Sequence, residues 1–134
     1  MKGKKLFLFL IPVAVFLINA ACGFSASTAS IKDAKMARDE AGTQATTSFA
    51  ANDTFFCNVE LANAPSDTKV KAVWTAVQVD GTQPNTKIDE SELQSGDGTL
   101  HFKLQNDNPW PTGKYKVDLY LNEKLAKTVE FQVQ

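Results

Sequence analysis

The sequence has little of the chemistry on which most enzymes depend. Its 134 residues include one histidine and two cysteines, and they show no internal repeat or heptad pattern. His101 falls on the predicted outward face of a strand, whereas a general base needs a partner group and a pocket. Reactive thiols are usually partly exposed in electropositive surroundings, whereas Cys57 falls on a predicted apolar face. We therefore predict no catalytic residue, no cofactor and no enzymatic activity.

The sequence also lacks an excess of positive charge. It has 14 basic and 15 acidic residues, for a formal net charge of −1. Three of the basic residues, Lys2, Lys4 and Lys5, precede the first apolar run, so removal of residues 1–21 leaves 11 basic residues against 15 acidic ones, a net charge of −4. Phosphate contacts need a basic surface, so no nucleic-acid partner is expected.

Acidic residues crowd one stretch of the chain, at Asp80, Asp89, Glu90, Glu92 and Asp97. Calcium takes about six to eight oxygen ligands, often from loops of this composition. The stretch has no EF-hand spacing, and solvated turn acids explain it at least as well. No metal site is predicted.

The N-terminus has the order of a secretory signal. A cationic segment, Lys2 to Lys5, precedes an apolar run from Leu6 to Ile18, and small residues follow at Ala20 and Ala21. A membrane-spanning helix needs about 20 apolar residues, and this run is shorter. We predict a signal peptide over residues 1–21; an uncleaved N-terminal anchor is the alternative.

Cys22 is the residue through which the exported protein would be attached to a membrane. The segment Ala20-Ala21-Cys22-Gly23 resembles the lipobox of bacterial lipoproteins, in which the cysteine is lipidated. Asn19 departs from that box, which usually has an aliphatic residue there. Ordinary cleavage after Ala21, or later near Ala26 or Ala29, is the competing interpretation. A Cys22–Cys57 disulfide would compete with lipidation and would draw the segment back into the core.

Residues 22–30 are small and polar, which predicts a flexible tether. From residue 31 the dominant period is two, as in antiparallel sheets with one solvated face. Turn signals such as Ala64-Pro65-Ser66-Asp67 and Ser95-Gly96-Asp97-Gly98 separate the strands. The clearest alternation covers residues 54–63, 69–79, 99–105, 114–122 and 128–134.

Two segments are ambiguous. Residues 31–38 fit a first edge strand or a short helix, since Ala, Lys, Met and Arg favour helices. Residues 86–93 fit a strand or a turn. The sequence therefore predicts an all-β antiparallel sandwich of about seven strands over residues 31–134.

Three features together resemble the immunoglobulin-like sandwich over about residues 46–134. Cys57 lies within a predicted strand, and Trp74 follows 17 residues later where that fold buries a tryptophan. Gly113-Lys114-Tyr115-Lys116-Val117 resembles its tyrosine corner, in which the Tyr115 hydroxyl would bond back to the backbone. Val117 occupies the place of the second cysteine of antibody-like domains. The resemblance therefore implies a bacterial immunoglobulin-like domain with Cys57, Trp74 and Tyr115 in its core and no disulfide between the sheets.

Aromatic residues supply the candidates for ligand contact. Trp110 lies between two prolines in the 106–113 loop, and Tyr120 and Phe56 point away from the main apolar face. Exposed aromatic rings can serve as platforms for sugars or proteins. Alternatively, Trp110 caps one end of the core and Phe56 packs under the first strand or the linker.

These observations favour an exported binding module at the cell envelope or in the medium, with a protein or polysaccharide partner outside the cytoplasm. Its only membrane attachment would be the lipid on Cys22, and it would otherwise be periplasmic or secreted. The alternative is an inhibitor or chaperone-like accessory protein that acts by strand addition.

The intact mass of the protein from native membrane and soluble fractions tests the N-terminal predictions. We expect a chain that has lost residues 1–21. A mass equal to residues 22–134 plus a diacylglyceryl group would show a lipoprotein, and an unmodified mass would show ordinary cleavage. Retention of Lys2 to Ala21 would contradict the signal peptide and favour the anchor.

Overall fold

The computed structural model describes residues 28–134. The predicted signal peptide over residues 1–21, Cys22 and most of the predicted tether lie outside these residues. The first strand begins at Ser30, and the Thr28 hydroxyl donates to the Asn63 carbonyl over 2.8 Å. The last residues assigned to the tether therefore already contact the domain.

Eight strands in two sheets make up the described part of the chain. One sheet has three strands in the order β1-β3-β6, and the other has five in the order β2-β8-β7-β4-β5. The strands are β1 (Ser30–Ala37), β2 (Ser48–Phe49), β3 (Phe55–Ala62), β4 (Thr68–Val79), β5 (Thr86–Ser95), β6 (Gly98–Leu104), β7 (Gly113–Leu121) and β8 (Lys124–Val133).

The prediction of an all-β sandwich is confirmed, with one strand more than expected. The ambiguous segments 31–38 and 86–93 both form strands, as β1 and β5. β2 is the strand that the sequence does not predict, because its two residues are too few to show alternation. It pairs in parallel with β8, whereas all other strand pairs in the described residues are antiparallel. Residues 28–134 contain no helix long and apolar enough to cross a membrane.

The apolar faces of the two sheets meet in a single core. Alternate residues of β3 and β4 are buried because successive side chains of a strand point to opposite faces. Each large side chain buried in this way contributes about 1.5–3 kcal/mol relative to its exposed state. The largest fully buried side chains are Trp74, Tyr115, Phe49, Phe55 and Leu119.

Tyr115 closes the turn that leads into β7. Its hydroxyl donates to the Pro111 carbonyl over 2.5 Å, and the side chain is 2% exposed. Gly113, two residues after Pro111, has φ +148°, and a Cβ atom there would overlap the Gln78 carbonyl oxygen. Only glycine fits that approach, so Gly113 and Tyr115 together set the entry into β7.

Replacement of Tyr115 by Phe removes this bond while keeping the ring. Loss of the bond to Pro111 is expected to lower the free energy of unfolding by about 1 kcal/mol at neutral pH. Burial, and secondly the charge of Asp80, raise the pKa of Tyr115 to about 12 from its ordinary value of 10.0.

The raised pKa gives a second expectation. The folded state holds the phenol proton more tightly, so the resulting stabilisation is complete below pH 10 and is lost as the pH rises towards 12. The free energy of unfolding, measured with urea from pH 8 upwards, should therefore fall less with rising pH in Tyr115→Phe than in the wild type. Equal losses in both proteins would contradict the assignment.

Candidate functional site

A polar depression lies on the outer face of the three-stranded sheet. The strand register places Lys35 of β1, Asn58 of β3 and His101 of β6 in one row across the sheet. The neighbouring row is Asp33, Glu60 and Thr99. Directly opposed residues share a face, so all six side chains project to the same side. With Ala41 and Gly42, they line a depression of about 390 Å³.

The connection between β1 and β2 forms one wall of this depression. The Asp39 carboxylate accepts hydrogen bonds from the Thr43 hydroxyl (2.6 Å), the Thr43 amide and the Gln44 amide. The Thr43 hydroxyl bond and then the backbone bonds lower the pKa of Asp39, because they stabilise its charged form. A loop fixed in this way can present its own backbone to the sheet.

Asn58 joins that loop to the sheet. Its Nδ2 donates to the Glu40 carbonyl over 3.0 Å. Gly42 has φ +79°, and a Cβ atom there would lie 2.8 Å from Asn58 Nδ2. Glycine therefore meets both requirements at this position: a left-handed backbone and close packing against the amide.

The same bonds fix the hydrogen on the His101 ring. Because Asn58 Nδ2 is turned to Glu40, its Oδ1 faces His101 Nδ1 at 2.8 Å. An amide oxygen can only accept, so Nδ1 carries the hydrogen in this bond. In the neutral ring Nε2 is then the acceptor, and it is not used by any hydrogen bond within residues 28–134.

The carboxylates of the depression are both paired with lysines. Lys35 Nζ lies 3.6 Å from Asp33, and Lys32 Nζ lies 3.9 Å from Glu60. All four side chains are solvent-accessible, so these pairs contribute little to stability. Their effect is on the local charge, because they leave the depression nearly neutral.

The residues of this depression are ones to which the sequence assigns little function. His101 is considered there only as a catalytic base, and Asn58, Glu60 and Thr99 have no predicted role. The alternation of β3 and β6 does show that these residues point outward. The strand register, which no turn in the sequence specifies, is what places Asn58 opposite His101.

Phe56 lies on the same face, one row away from the depression. It is paired with Lys103 on one side and with Ala37 on the other, and it is half-buried. The side chain therefore keeps part of its ring accessible next to the row of Asn58 and His101. Ligand contact by Phe56 stays a prediction.

Trp110 is buried and does not form an exposed aromatic surface. It is 7% exposed, and its ring stacks on Phe55 with centroids 4.6 Å apart. Its Nε1 donates to the Asp53 carbonyl over 3.0 Å and its amide donates to the Ala51 carbonyl over 2.8 Å. The side chain caps one end of the core, because its only polar atom has a partner there.

Tyr120 lies on the outer face of the five-stranded sheet. It is half-buried, and the Lys71 ammonium lies 5.2 Å from its ring centroid. A cation at that distance occupies one face of the ring. A role of Tyr120 in ligand contact also stays a prediction.

Cys57 and Trp74 lie in the core, with exposures of 0% and 1%. Burial raises the pKa of the Cys57 thiol to about 12, so the thiolate is not populated at neutral pH. The acidic stretch is spread along β5 and its flanking turns. Within residues 28–134 no three His, Cys, Asp or Glu side chains converge in a way that could hold a metal ion.

A second depression, of about 540 Å³, lies at one end of the five-stranded sheet. Its side chains include Gln78, Lys114, Glu130 and Gln132. None of these four makes a side-chain hydrogen bond or ion pair within the described residues. We regard it as the weaker candidate, because nothing in that part of the chain holds its polar groups in place.

Solved structures share this architecture at low sequence identity. An immunoglobulin-like protein from Pseudomonas aeruginosa matches 82% of this chain and 100% of its own length, with 17% identity and a TM-score of 0.54. An alkylpurine DNA glycosylase from Pseudomonas fluorescens matches with 14% identity and a TM-score of 0.53, covering 81% of this chain but 31% of the enzyme. A β-glucosidase from Listeria innocua matches with 13% identity and a TM-score of 0.52, covering 83% of this chain and 17% of the enzyme.

These matches define the class of fold. The chain is an immunoglobulin-like β-sandwich, which confirms the resemblance inferred from its sequence. Neither a protein-family model nor a curated protein matches the sequence. In two of the three structures the matching region is a minor part of a larger enzyme, so the likeness concerns the fold alone.

The position of Trp110 predicts what its removal does. Trp110→Ala should lower the free energy of unfolding by about 3–5 kcal/mol, because it leaves a cavity beside Phe55. Tyr120→Ala removes a half-buried aromatic residue and should cost much less. Thermal unfolding of both variants checks this, and a Trp110→Ala loss no greater than that of Tyr120→Ala would contradict the core assignment.

Proposed function

We propose that this protein is an exported, non-catalytic binding module that uses the depression around His101 and Asn58 to hold a hydroxyl-rich ligand outside the cytoplasm. The observation that carries the proposal is the chain of hydrogen bonds on the sandwich surface that runs from the Glu40 carbonyl through the Asn58 amide to His101. Export rests on the signal-like segment over residues 1–21. With a lipid on Cys22, the domain would stand off the membrane on the residues between Cys22 and Thr28, since Thr28 already contacts the domain.

The charge of the depression favours a neutral ligand. Asp33 and Glu60 are each paired with a lysine, so an ionic ligand would find no unpaired countercharge on them. Donors and acceptors are nevertheless dense, from the amide, imidazole and hydroxyl groups of Asn58, His101 and Thr99. Such a surface suits the many hydroxyl groups of a polysaccharide.

The free nitrogen of His101 supports the same class. Because Nδ1 is committed to Asn58, a ligand hydroxyl can donate to Nε2. Phe56 in the adjacent row offers an apolar surface against which the C–H groups of a sugar ring can pack. Fixed polar groups beside a partly exposed ring are the usual ingredients of a small-ligand site.

An array of bacterial envelope polysaccharides, probed with the purified protein, tests the proposal. We expect binding to neutral glycans. His101→Ala should weaken this binding about tenfold, since the loss of one hydrogen bond worth about 1.4 kcal/mol raises the Kd about tenfold. Gly42→Ala should also weaken binding, because its Cβ atom would displace Asn58.

Gln83→Ala serves as the matched control, since Gln83 is exposed in the turn before β5 and away from this face. Circular dichroism establishes that each variant is folded. Glycan binding that survives His101→Ala unchanged, or the absence of any bound glycan, would show that this depression does not serve a polysaccharide.

A further inference from the structure

The sheets expose several strand edges, and most of them are protected against pairing with another chain. β1 has a bulge between Ile31 and Asp33 and carries Lys32 and Lys35. The part of β8 that β2 leaves uncovered has a bulge opposite Leu119 and Tyr120 and carries Lys124 and Lys127. Bulges and lysines are established means of blocking edge-to-edge association.

β5 is protected in a similar way. Its pairing with β4 is interrupted between Trp74 and Thr75, and Lys87 and Asp89 flank the extra residue, Ile88. Asp89 lies opposite Trp74, whose side chain points into the core, so the Asp89 carboxylate is on the inner face. An inward-pointing charge on an edge strand discourages pairing.

β6 differs from all of these edges. It pairs with β3 from Gly98 to Leu104 without any register shift, and within the described residues it has no strand on its other side. Its seven residues contain no proline and one lysine, Lys103, close to its end. A regular, unbulged edge of this length can accept a further strand.

The surface next to this edge is partly apolar. Only Gly96 and Asp97 separate β5 from β6, and the Asp97 carboxylate fixes the turn by accepting the Ala64 amide over 2.6 Å. Leu93 lies opposite Val70 on the inner face of β5 and is 39% exposed. Leu93 is one of three large apolar side chains exposed in the described chain. We define the β5–β6 notch as the free edge of β6 together with Leu93, Ser91 and Asp89 of β5.

Charge indicates which segment would fit the β5–β6 notch. Asp89 makes no ion pair within residues 28–134, whereas Glu90 on the same strand is paired with Lys87 at 2.5 Å. Glu92 adds a further negative charge to that strand. Residues 86–104 have four acidic residues and two lysines. A second copy of this chain would bring the same acidic strand against itself, whereas a cationic segment would meet opposite charge.

We propose that the β5–β6 notch binds an extended, cationic segment of a partner protein as an additional strand beside β6. Alternate apolar side chains of that segment cover Leu93, and a lysine or arginine faces Asp89. The main-chain bonds to β6 supply affinity, and these two contacts supply selectivity. This site is separate from the depression around His101 and does not depend on a glycan ligand.

A peptide array with the full protein as the probe tests this inference. The peptides are about nine residues long, long enough to pair with all of β6. One face of each peptide is Ser, and the other face is apolar except at one position, which is Lys, Ser or Glu, so that this residue lies on the same side as Leu93 and Asp89. We expect the Lys peptides to bind, the Glu peptides not to bind, and binding to weaken as salt is raised. Hydrogen exchange with a bound Lys peptide should show new protection in β6.

Two matched variants locate the site. Leu93→Lys should weaken peptide binding about tenfold or more, as expected for an apolar anchor at the centre of a contact. Leu125→Lys makes the same change at a side chain that is 57% exposed on β8, and it should have no effect. Asp89→Asn should reduce the salt dependence and leave the fold intact.

Several results would overturn the inference. The inference fails if no peptide binds, or if the Glu and Lys peptides bind equally well. It also fails if Leu93→Lys and Leu125→Lys have equal effects, or if exchange protection is confined to β1 or β8. A dimer in solution that protects β6 without peptide would replace the proposed partner with a second copy.

Discussion

Phe55 lies at the centre of the contacts that hold the two sheets together. It begins β3 of the three-stranded sheet, and its ring centroid lies 4.9 Å from that of Phe49, 5.7 Å from that of Tyr115 and 4.8 Å from that of Phe131. Those three residues belong to β2, β7 and β8 of the other sheet, and Trp110 stacks on Phe55 from the loop after β6. Aromatic pairs at these distances contribute about 0.5–1.5 kcal/mol beyond their buried area. Antibody-like domains join their sheets with a disulfide, whereas here Val117 takes the place of the second cysteine. Within residues 28–134 Cys57 is therefore a free thiol, and the aromatic cluster joins the sheets.

The same cluster leaves the outer faces free to differ. Its residues point inward, so the outward positions of β3 and β6 lie outside the core between the sheets and can hold Asn58, Glu60, Thr99 and His101. The turn that carries Trp110 is tied to the segment before β3, where Asp53 also accepts Arg38 of the β1–β2 connection at 3.1 Å. The β1–β2 loop, which forms the wall of the depression, is thereby anchored to the end of the core. The position of this loop in turn determines the shape of the depression.

Both proposed sites use β6, but in different directions. The depression uses the side chains on its outer face, whereas the β5–β6 notch uses its backbone edge and the inner face of β5. A strand that is short, regular and at the edge of a small sheet can serve both purposes, because side chains and edge hydrogen bonds are perpendicular to one another. A polysaccharide and a cationic segment could thus bind the same domain without competing for the same atoms.

Alternation and turn chemistry by themselves determined the all-β class, five of the eight strands, and the inward placement of Cys57, Trp74 and Tyr115, because a period of two and short turn signals are local properties of the chain. They left β1 and β5 open between a strand and a helix or turn. β2 could not be predicted in this way, since two residues carry no period and only pairing with β8 defines them. The burial of Trp110 also depended on the tertiary structure, because a tryptophan between two prolines is equally compatible with exposure to solvent and with stacking on Phe55.

The depression and the notch result from strand register and strand order. These bring Asn58 to His101 across 43 residues of sequence and leave β6 without a neighbour on one side in the described chain. Such long-range pairings are decided by the fit of the whole core, and no local pattern encodes them.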